Sequence, residues 1–341
     1  MSPKNQRELN EVAAETQTEL LRITAIFGVR WVASSFRAVR AVWRNYPALH
    51  GHFIRASQDV SRSSSERAKF QGLATKLGTV SFLKDLAVMK DMLRELSYLS
   101  LKIQSRTCNI VKSYEEVKST IAVLRALIIA GGGKSSKKVA CIDTTYTFKG
   151  VPLTDGKAGI NSSQFMRAVL DSLTRRTVSS PSPLLLDLQK LYKVNWPPAE
   201  SDELILFGEE EVSRLAKRLN LPTRTIVEAF RKYKAGRKPS PDLTRLLVAA
   251  ETYPGSTAEC ERCFSVMNET VWDRRNKLSI QAVSNLMFIR LNGVSVADFN
   301  PIPYVQSWLA AGNRPSTASI TGRKAAEKSD IHQTLIHNSC V

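Results

Sequence analysis

Long apolar runs are absent from this sequence of 341 residues. The longest candidate, Ile121 to Ala130, is interrupted by Arg125 and falls short of the ~18 residues that span a bilayer. A membrane helix is not expected. Cysteine is scarce, with five in all (Cys108, Cys141, Cys260, Cys263 and Cys340), and Met1 to Asn10 is polar and charged rather than leader-like. Both features argue against a secreted disulfide scaffold and for a reducing compartment. Cys260 and Cys263 form a Cys-x-x-Cys, but no second pair stands at finger spacing, and His50 and His52 lie far away. Zinc needs four ligands, so no metal and no zinc finger are expected. Gly133-Lys134-Ser135 lacks the glycine five residues earlier that a phosphate-binding loop requires, Ile128 standing there. A helical pattern precedes it instead of a strand, so Gly131 to Lys138 reads as a flexible linker. No cofactor or small-molecule substrate is implied.

Negative charge is also short. Lys and Arg number 49 against 31 Asp and Glu, a formal charge of +18. The excess favours a polyanion: nucleic acid, or an anionic membrane surface. The plainer alternative is that it only keeps the protein soluble. With 43% hydrophobic residues the chain is long enough for a sizeable core and two domains.

Apolar spacing then divides the chain. Leu20 to Val29 reads as a strand, followed by a helix bearing Phe36, Val39, Trp43 and Tyr46 that Pro47 ends. Ser57 to Ser65 reads as a loop. Phe82, Leu86, Met89, Leu93 and Leu96 form one stripe, and Tyr114, Val117, Ile121, Leu124 and Ile128 a second. Each stripe fits one face of a helix, and the two pack most economically as a hairpin; an intermolecular coiled coil is the alternative. A short strand is expected at Thr144 to Phe148, with helices over 162–173, 184–192, 209–219 and 223–233, the last capped by Thr223. Lys234 to Pro241 is a basic linker.

The last folded block carries the most specific pattern. A helix with Leu243, Leu246, Leu247 and Ala250 stops before Pro254. Ser256 and Glu259 fit a capping box for the next helix, which places Cys260, Phe264, Met267 and Val271 on one face and Glu261, Ser265, Asn268 and Trp272 on its neighbour. A third helix from Ser279 is apolar on two sides: Leu278, Ala282, Leu286 and Ile289 form one row, Ile280, Val283, Met287 and Leu291 another. A second copy of the chain is the obvious cover for one row, giving a two-fold interface; the long hairpin of the same chain is the competing cover. Phe299 to Tyr304 and Trp308 should dock as an apolar arm.

Pro254 to Ser265, with Glu261-Arg262-Cys263-Phe264-Ser265, then Arg274-Arg275-Asn276-Lys277-Leu278 and Leu286 to Arg290, resembles the C-terminal dimerisation region of hAT-superfamily transposases. Arg30-Trp31-Val32-Ala33-Ser34 resembles, more weakly, the Arg-Trp motif of that superfamily. The resemblance implies a mostly α fold: a helical insertion domain together with a truncated RNase H-like remnant, the chain carrying the C-terminal dimerisation helices. The expected organisation is an RNase H-like remnant at 1–56, a helical insertion at 57–240, the dimerisation region at 241–311 and a disordered tail at 312–341.

The resemblance also implies roles. Glu261 stands where the superfamily has the third carboxylate of a metal-binding triad, and paired metals there stabilise attacking and leaving oxygens. The other two aspartates precede the Arg-Trp motif, whereas the 29 residues before Arg30 here contain no Asp. Asp143 superficially resembles a strand-borne aspartate, but its order in the chain is wrong. Glu261 is therefore read as vestigial and the chain as not an enzyme. Trp31, with Arg30, occupies a base-stacking position; packing of Trp31 against the helix bearing Trp43 is the bland alternative. Dimerisation would rest on Phe264, Leu278, Ile280, Val283, Leu286, Met287 and Ile289. Nucleic-acid contact, the second reading, would use Arg231, Lys232, Lys234, Arg237 and Lys238, with a solvated helix end as the alternative. The expectation is a transposase-derived homodimer of the nucleus, with DNA as a further partner. A fragment of an active transposase, or a relative with SUMO-ligase activity, is the enzyme alternative.

Overall fold

Side-chain caps and apolar stripes divide the chain into helices. The computed structural model describes residues 2–23, 31–157, 159–272 and 275–311. These are mostly helical, with one antiparallel hairpin of two-residue strands, and they fall into two units, 1–261 and 262–341.

The first unit opens with α1 (Pro3–Glu15), α2 (Trp31–Arg44), α3 (Tyr46–Gln58), α4 (Ser64–Leu77), α5 (Val80–Ile103) and α6 (Ile110–Ile129). Two short turns, α7 (Lys134–Lys138) and α8 (Ile142–Thr145), lead to the hairpin of β1 (Thr147–Phe148) and β2 (Val151–Pro152), where Phe148 faces Val151. Then follow α9 (Ser162–Thr177), α10 (Pro183–Gln189), α11 (Glu203–Leu206), α12 (Glu209–Arg218), α13 (Thr223–Lys234), α14 (Pro241–Glu251) and α15 (Ala258–Thr270), within which the unit boundary falls. α16 (Ile280–Asn292) and α17 (Ile302–Ala310) belong to the second unit.

One core joins Leu9 and Val12 of α1, Trp43, Tyr46 and Leu49, Leu83 and Leu86 of α5, and the hairpin's Phe148 and Val151. Phe148 stands edge-on to Trp43 at 5.1 Å and to Tyr46 at 5.3 Å between ring centroids. The Tyr46 hydroxyl donates to the Leu77 carbonyl at 2.8 Å, and burial pushes its pKa up. The expected boundary at 56/57 falls inside this core. A second core packs Leu185 and Leu188 of α10, Val212 and Leu215 of α12, Ile226 and Phe230 of α13, and Leu243 and Leu246 of α14. The boundary expected at 240/241 falls inside that one.

The expected α6 stripe packs on α5, but mostly not on the expected α5 stripe: Val88 and Met92 make the contact with Leu96 at its edge, while Phe82 and Leu86 join the first core. Met92 and Leu124 share a core, but Met166 of α9 fills it with them, so the pair is a three-helix contact rather than a bare hairpin. Several local expectations change. Pro47 begins α3 rather than ending the previous helix, because a first-turn residue needs no N–H for the helix ladder. The Ser-rich stretch holds a capping box, with Ser63 Oγ accepting the Glu66 N–H at 3.2 Å, and it starts α4. Residues 20–23 form no strand; the Leu21 N–H donates to Asn45 Oδ1 at 2.8 Å and its carbonyl accepts from Asn45 Nδ2 at 2.7 Å. The rest of that expected strand, like the tail 312–341, lies outside the described residues. Thr144 and Thr145 end α8, and only Thr147 and Phe148 pair as a strand. Thr223 is the first residue of α13 and not its cap, which is Pro222.

Candidate interaction surfaces

The chain break at Pro254-Gly255-Ser256 is held to the start of α6. The Ile110 N–H donates to the Tyr253 carbonyl at 2.9 Å, the Gly255 N–H to that of Cys108 at 3.3 Å, and Ser256 Oγ to that of Ile103 at 3.1 Å. Ser256 also accepts the Ala258 N–H at 3.3 Å, while Glu259 pairs with Arg106 at 3.3 Å. Ser256 thus ties the turn to α5. Near this turn Asn109 Nδ2 donates to the Tyr192 hydroxyl at 2.6 Å and to Glu251 Oε2 at 2.5 Å.

In the second unit several apolar residues stay uncovered. No residue of α16 is buried. Ile280 is 90% exposed, Ile289 64% and Phe264 of α15 61%. Leu278, Val283, Leu286 and Met287 are half-buried. The Arg290 guanidinium on α16 pairs with Glu269 on α15. Phe299 stacks on Tyr304 with centroids 5.2 Å apart. Both rings, and Trp308, are exposed, so the expected docking of this arm is not what the fold shows. A helix that leaves apolar side chains on two sides in water is unfavourable until something covers them.

The remaining candidates scatter. Glu261 is exposed on α15, and Asp143 pairs with Lys84. Trp31 is the first residue of α2, the helix that itself carries Trp43, and is 55% exposed; Arg30 lies outside the described residues. Cys260 is exposed and Cys263 half-buried. The basic stretch of α13 is divided in its use. Arg231 makes a two-pronged pair with Glu209 at 2.5 and 2.6 Å, which holds the Glu209 carboxyl below its usual pKa. Lys234 is buried, and its ammonium donates to the carbonyls of Ile205 at 2.9 Å and Phe207 at 2.7 Å. Lys232, Arg237 and Lys238 remain exposed. Among the described residues, no helix is long and apolar enough to cross a membrane.

What sequence reasoning missed is the seat of Asp91. Its buried carboxylate accepts the N–H groups of Gly133 at 2.9 Å, Ser135 at 3.0 Å and Ser136 at 2.9 Å, and the Ser136 hydroxyl at 2.9 Å. The Gly-Lys-Ser turn is thus no loose linker: it is an anion cradle whose anion comes from α5. The only signal was an aspartate on the otherwise apolar face of that helix.

Residues 211–292 match the hAT family C-terminal dimerisation region. The match begins in α12 and ends with α16, so it takes in α12 and α13 as well as the block from Leu243 that the motifs picked out. No solved structure matches the chain. The class defined by the helices and their uncovered face is therefore a dimerisation module. By this region, residues 211–292, the chain resembles proteins of the hAT family.

Proposed function

We propose that the chain is a self-associating, transposase-derived nuclear protein in which α15 and α16 pair with their counterparts in a second copy. The observation that carries this is that no residue of α16 is buried and that each apolar row leaves an isoleucine, Ile280 or Ile289, exposed, inside a region that matches a dimerisation family. Light scattering across a concentration series tests it: a dimer that dissociates on dilution is expected, and a monomer at every concentration would remove the reading. On its own the chain transfers no DNA strands, since Glu261 is the one residue that carries over to the triad. Magnesium- or manganese-dependent strand transfer that Glu261→Gln abolished would overturn this. The resemblance at Arg30-Trp31 supports descent of residues 1–56 from an RNase H-like region, now built as α1 to α3 where described.

DNA is the second reading, favoured by the formal charge of +18. Retention on duplex DNA that fades as salt rises is the expected behaviour. Nuclear residence follows from both readings and is checked by imaging the tagged full chain.

A further inference from the structure

The cations of α13 are partly consumed by the fold, and a second group of cations gathers around Trp43. Lys90 of α5 and Lys149 of the hairpin turn both lie over the Trp43 ring, at 5.0 and 5.9 Å from its centroid. Lys90 donates to Ser135 Oγ at 2.8 Å, which sets it against α7. Lys149 donates to the carbonyls of Trp43 and Arg44 at the end of α2. From α7, Lys134 and Lys138 project into solvent and make no ion pair among the described residues. Four elements, α2, α5, α7 and the hairpin, thus deliver positive charge to one place.

These charges sense one another. Burial lowers the Lys90 pKa, and Arg94, Lys138 and Lys134 add to the effect against the opposing pull of Asp91. Desolvation, then Lys138, Lys90 and Arg44, bring Lys149 down to about 8. Apart from Glu19, which pairs with Arg44 at the edge of the group, neighbouring acids do not neutralise it. Asp91 is buried and saturated by backbone donors, Glu95 pairs with Arg94, and Asp143 with Lys84. Glu19, which pairs with Arg44, is itself exposed. Gathering like charges with so little counter-charge is unfavourable for folding alone and is relieved by an external anion.

We propose that Arg44, Lys90, Lys134, Lys138 and Lys149 form a docking surface for the phosphate backbone of duplex DNA, separate from the cations of α13. The proposal rests on the nucleic-acid reading given above and assigns it a place. A duplex backbone fits better than single-stranded RNA because the ring at the centre of the group, Trp43, is buried beneath the ammonium groups. It offers no face for a base to stack on. What remains is a set of point charges, which neutralise phosphates without reading sequence.

The test is fluorescence anisotropy of a labelled random-sequence duplex titrated with the full chain at several salt concentrations. The double variant Lys134→Gln/Lys138→Gln removes two exposed charges that hold no fold contact. Lys149→Gln is a second variant, and Lys232→Gln/Lys238→Gln is the control on α13. For the double variant the slope of log affinity against log salt should fall by about two, with about a tenfold loss of affinity at low salt. Lys149→Gln should weaken binding in the same direction. Wild-type binding with both patch variants within about twofold of it, and only the α13 control weakened, would overturn the patch while leaving the DNA reading intact. No wild-type binding at low salt would overturn both. A clear preference for single-stranded RNA or for anionic vesicles over the duplex would overturn the proposed partner.

Discussion

The carboxylate of Asp91 sits 2.9 Å from the backbone nitrogen of Ser136, 45 residues further along the chain. Together with the N–H groups of Gly133 and Ser135 this closes a cradle, built by the turn before α7 and filled by the α5 carboxylate. Burial pushes the Asp91 pKa up, but the N–H groups of Ser136 and Ser135 and their hydroxyls outweigh it and hold it below the usual value. A carboxyl with a depressed folded pKa stabilises the fold above its unfolded pKa, near 3.9, and that stability is lost as pH falls through the folded value. Asp91→Ala should cost about 3 kcal/mol in urea unfolding at neutral pH, because buried donors lose their acceptor. The difference from wild type should shrink below about pH 4. A variant as stable as wild type at neutral pH would show that the cradle contributes nothing.

Gly255 is held where only a hydrogen fits. A Cβ there would come within 1.8 Å of Ser113 Oγ and 2.9 Å of the Asn109 carbonyl oxygen. The hydroxyl can rotate away, whereas the carbonyl belongs to the backbone at the start of α6. Gly255→Ala should therefore destabilise the chain by about 1–3 kcal/mol, read as a lowered urea midpoint. The double variant Gly255→Ala/Ser113→Ala should recover only part of the loss, since the carbonyl contact remains.

How much of this was legible depended on sequence distance. α5 and α6 could be read as helices because one helix turn repeats within the pattern, though the α5 face that meets α6 is that of Val88 and Met92, and α16 because Ser279 caps it, accepting the Ala282 N–H at 3.2 Å. The C-terminal motifs led to the region that the family match confirms. Pro47 misled because the same residue type stops one helix and starts another; only the chain on both sides decides. α4 was hidden in a Ser-rich stretch whose Ser63 and Glu66 are a capping box. The cradle of Asp91 and the crowding of Lys90 with Lys149 join residues more than 40 positions apart, and no local pattern announces them. The charge of Lys234 read as surface, yet its head lies inside, bonded to two carbonyls.

Lys234 should behave as a structural residue. Its ammonium caps the carbonyls of Ile205 and Phe207 and lies 5.0 Å over the Phe230 ring. Burial lowers its pKa, so the fold favours its charged form less than the unfolded chain does. Its contribution to stability therefore becomes more favourable as pH rises from the folded pKa toward the unfolded value near 10.4. Lys234→Ala should cost about 2 kcal/mol at neutral pH by leaving two carbonyls without a donor. DNA affinity of the folded variant should stay close to wild type. Loss of affinity with an unchanged melting temperature would instead assign Lys234 to the binding surface.

Ile280 and Ile289 separate folding from association, because both are exposed within their own unit. Substituting an exposed apolar residue changes the stability of a lone copy by less than about 0.5 kcal/mol. At the centre of an interface, a charge in the same place meets a desolvated partner and costs about 2 kcal/mol or more. Ile280→Glu and Ile289→Glu should therefore weaken dimerisation at least about tenfold, seen by sedimentation, while the circular dichroism spectrum stays that of the wild type. Glu269→Lys with Arg290→Glu provides the complementary control: the pair lies between α15 and α16 of one copy. Reversing both charges together should leave the dimer intact. If the isoleucine variants dimerised as well as wild type, the cover for α16 would have to come from something other than a second copy through these rows.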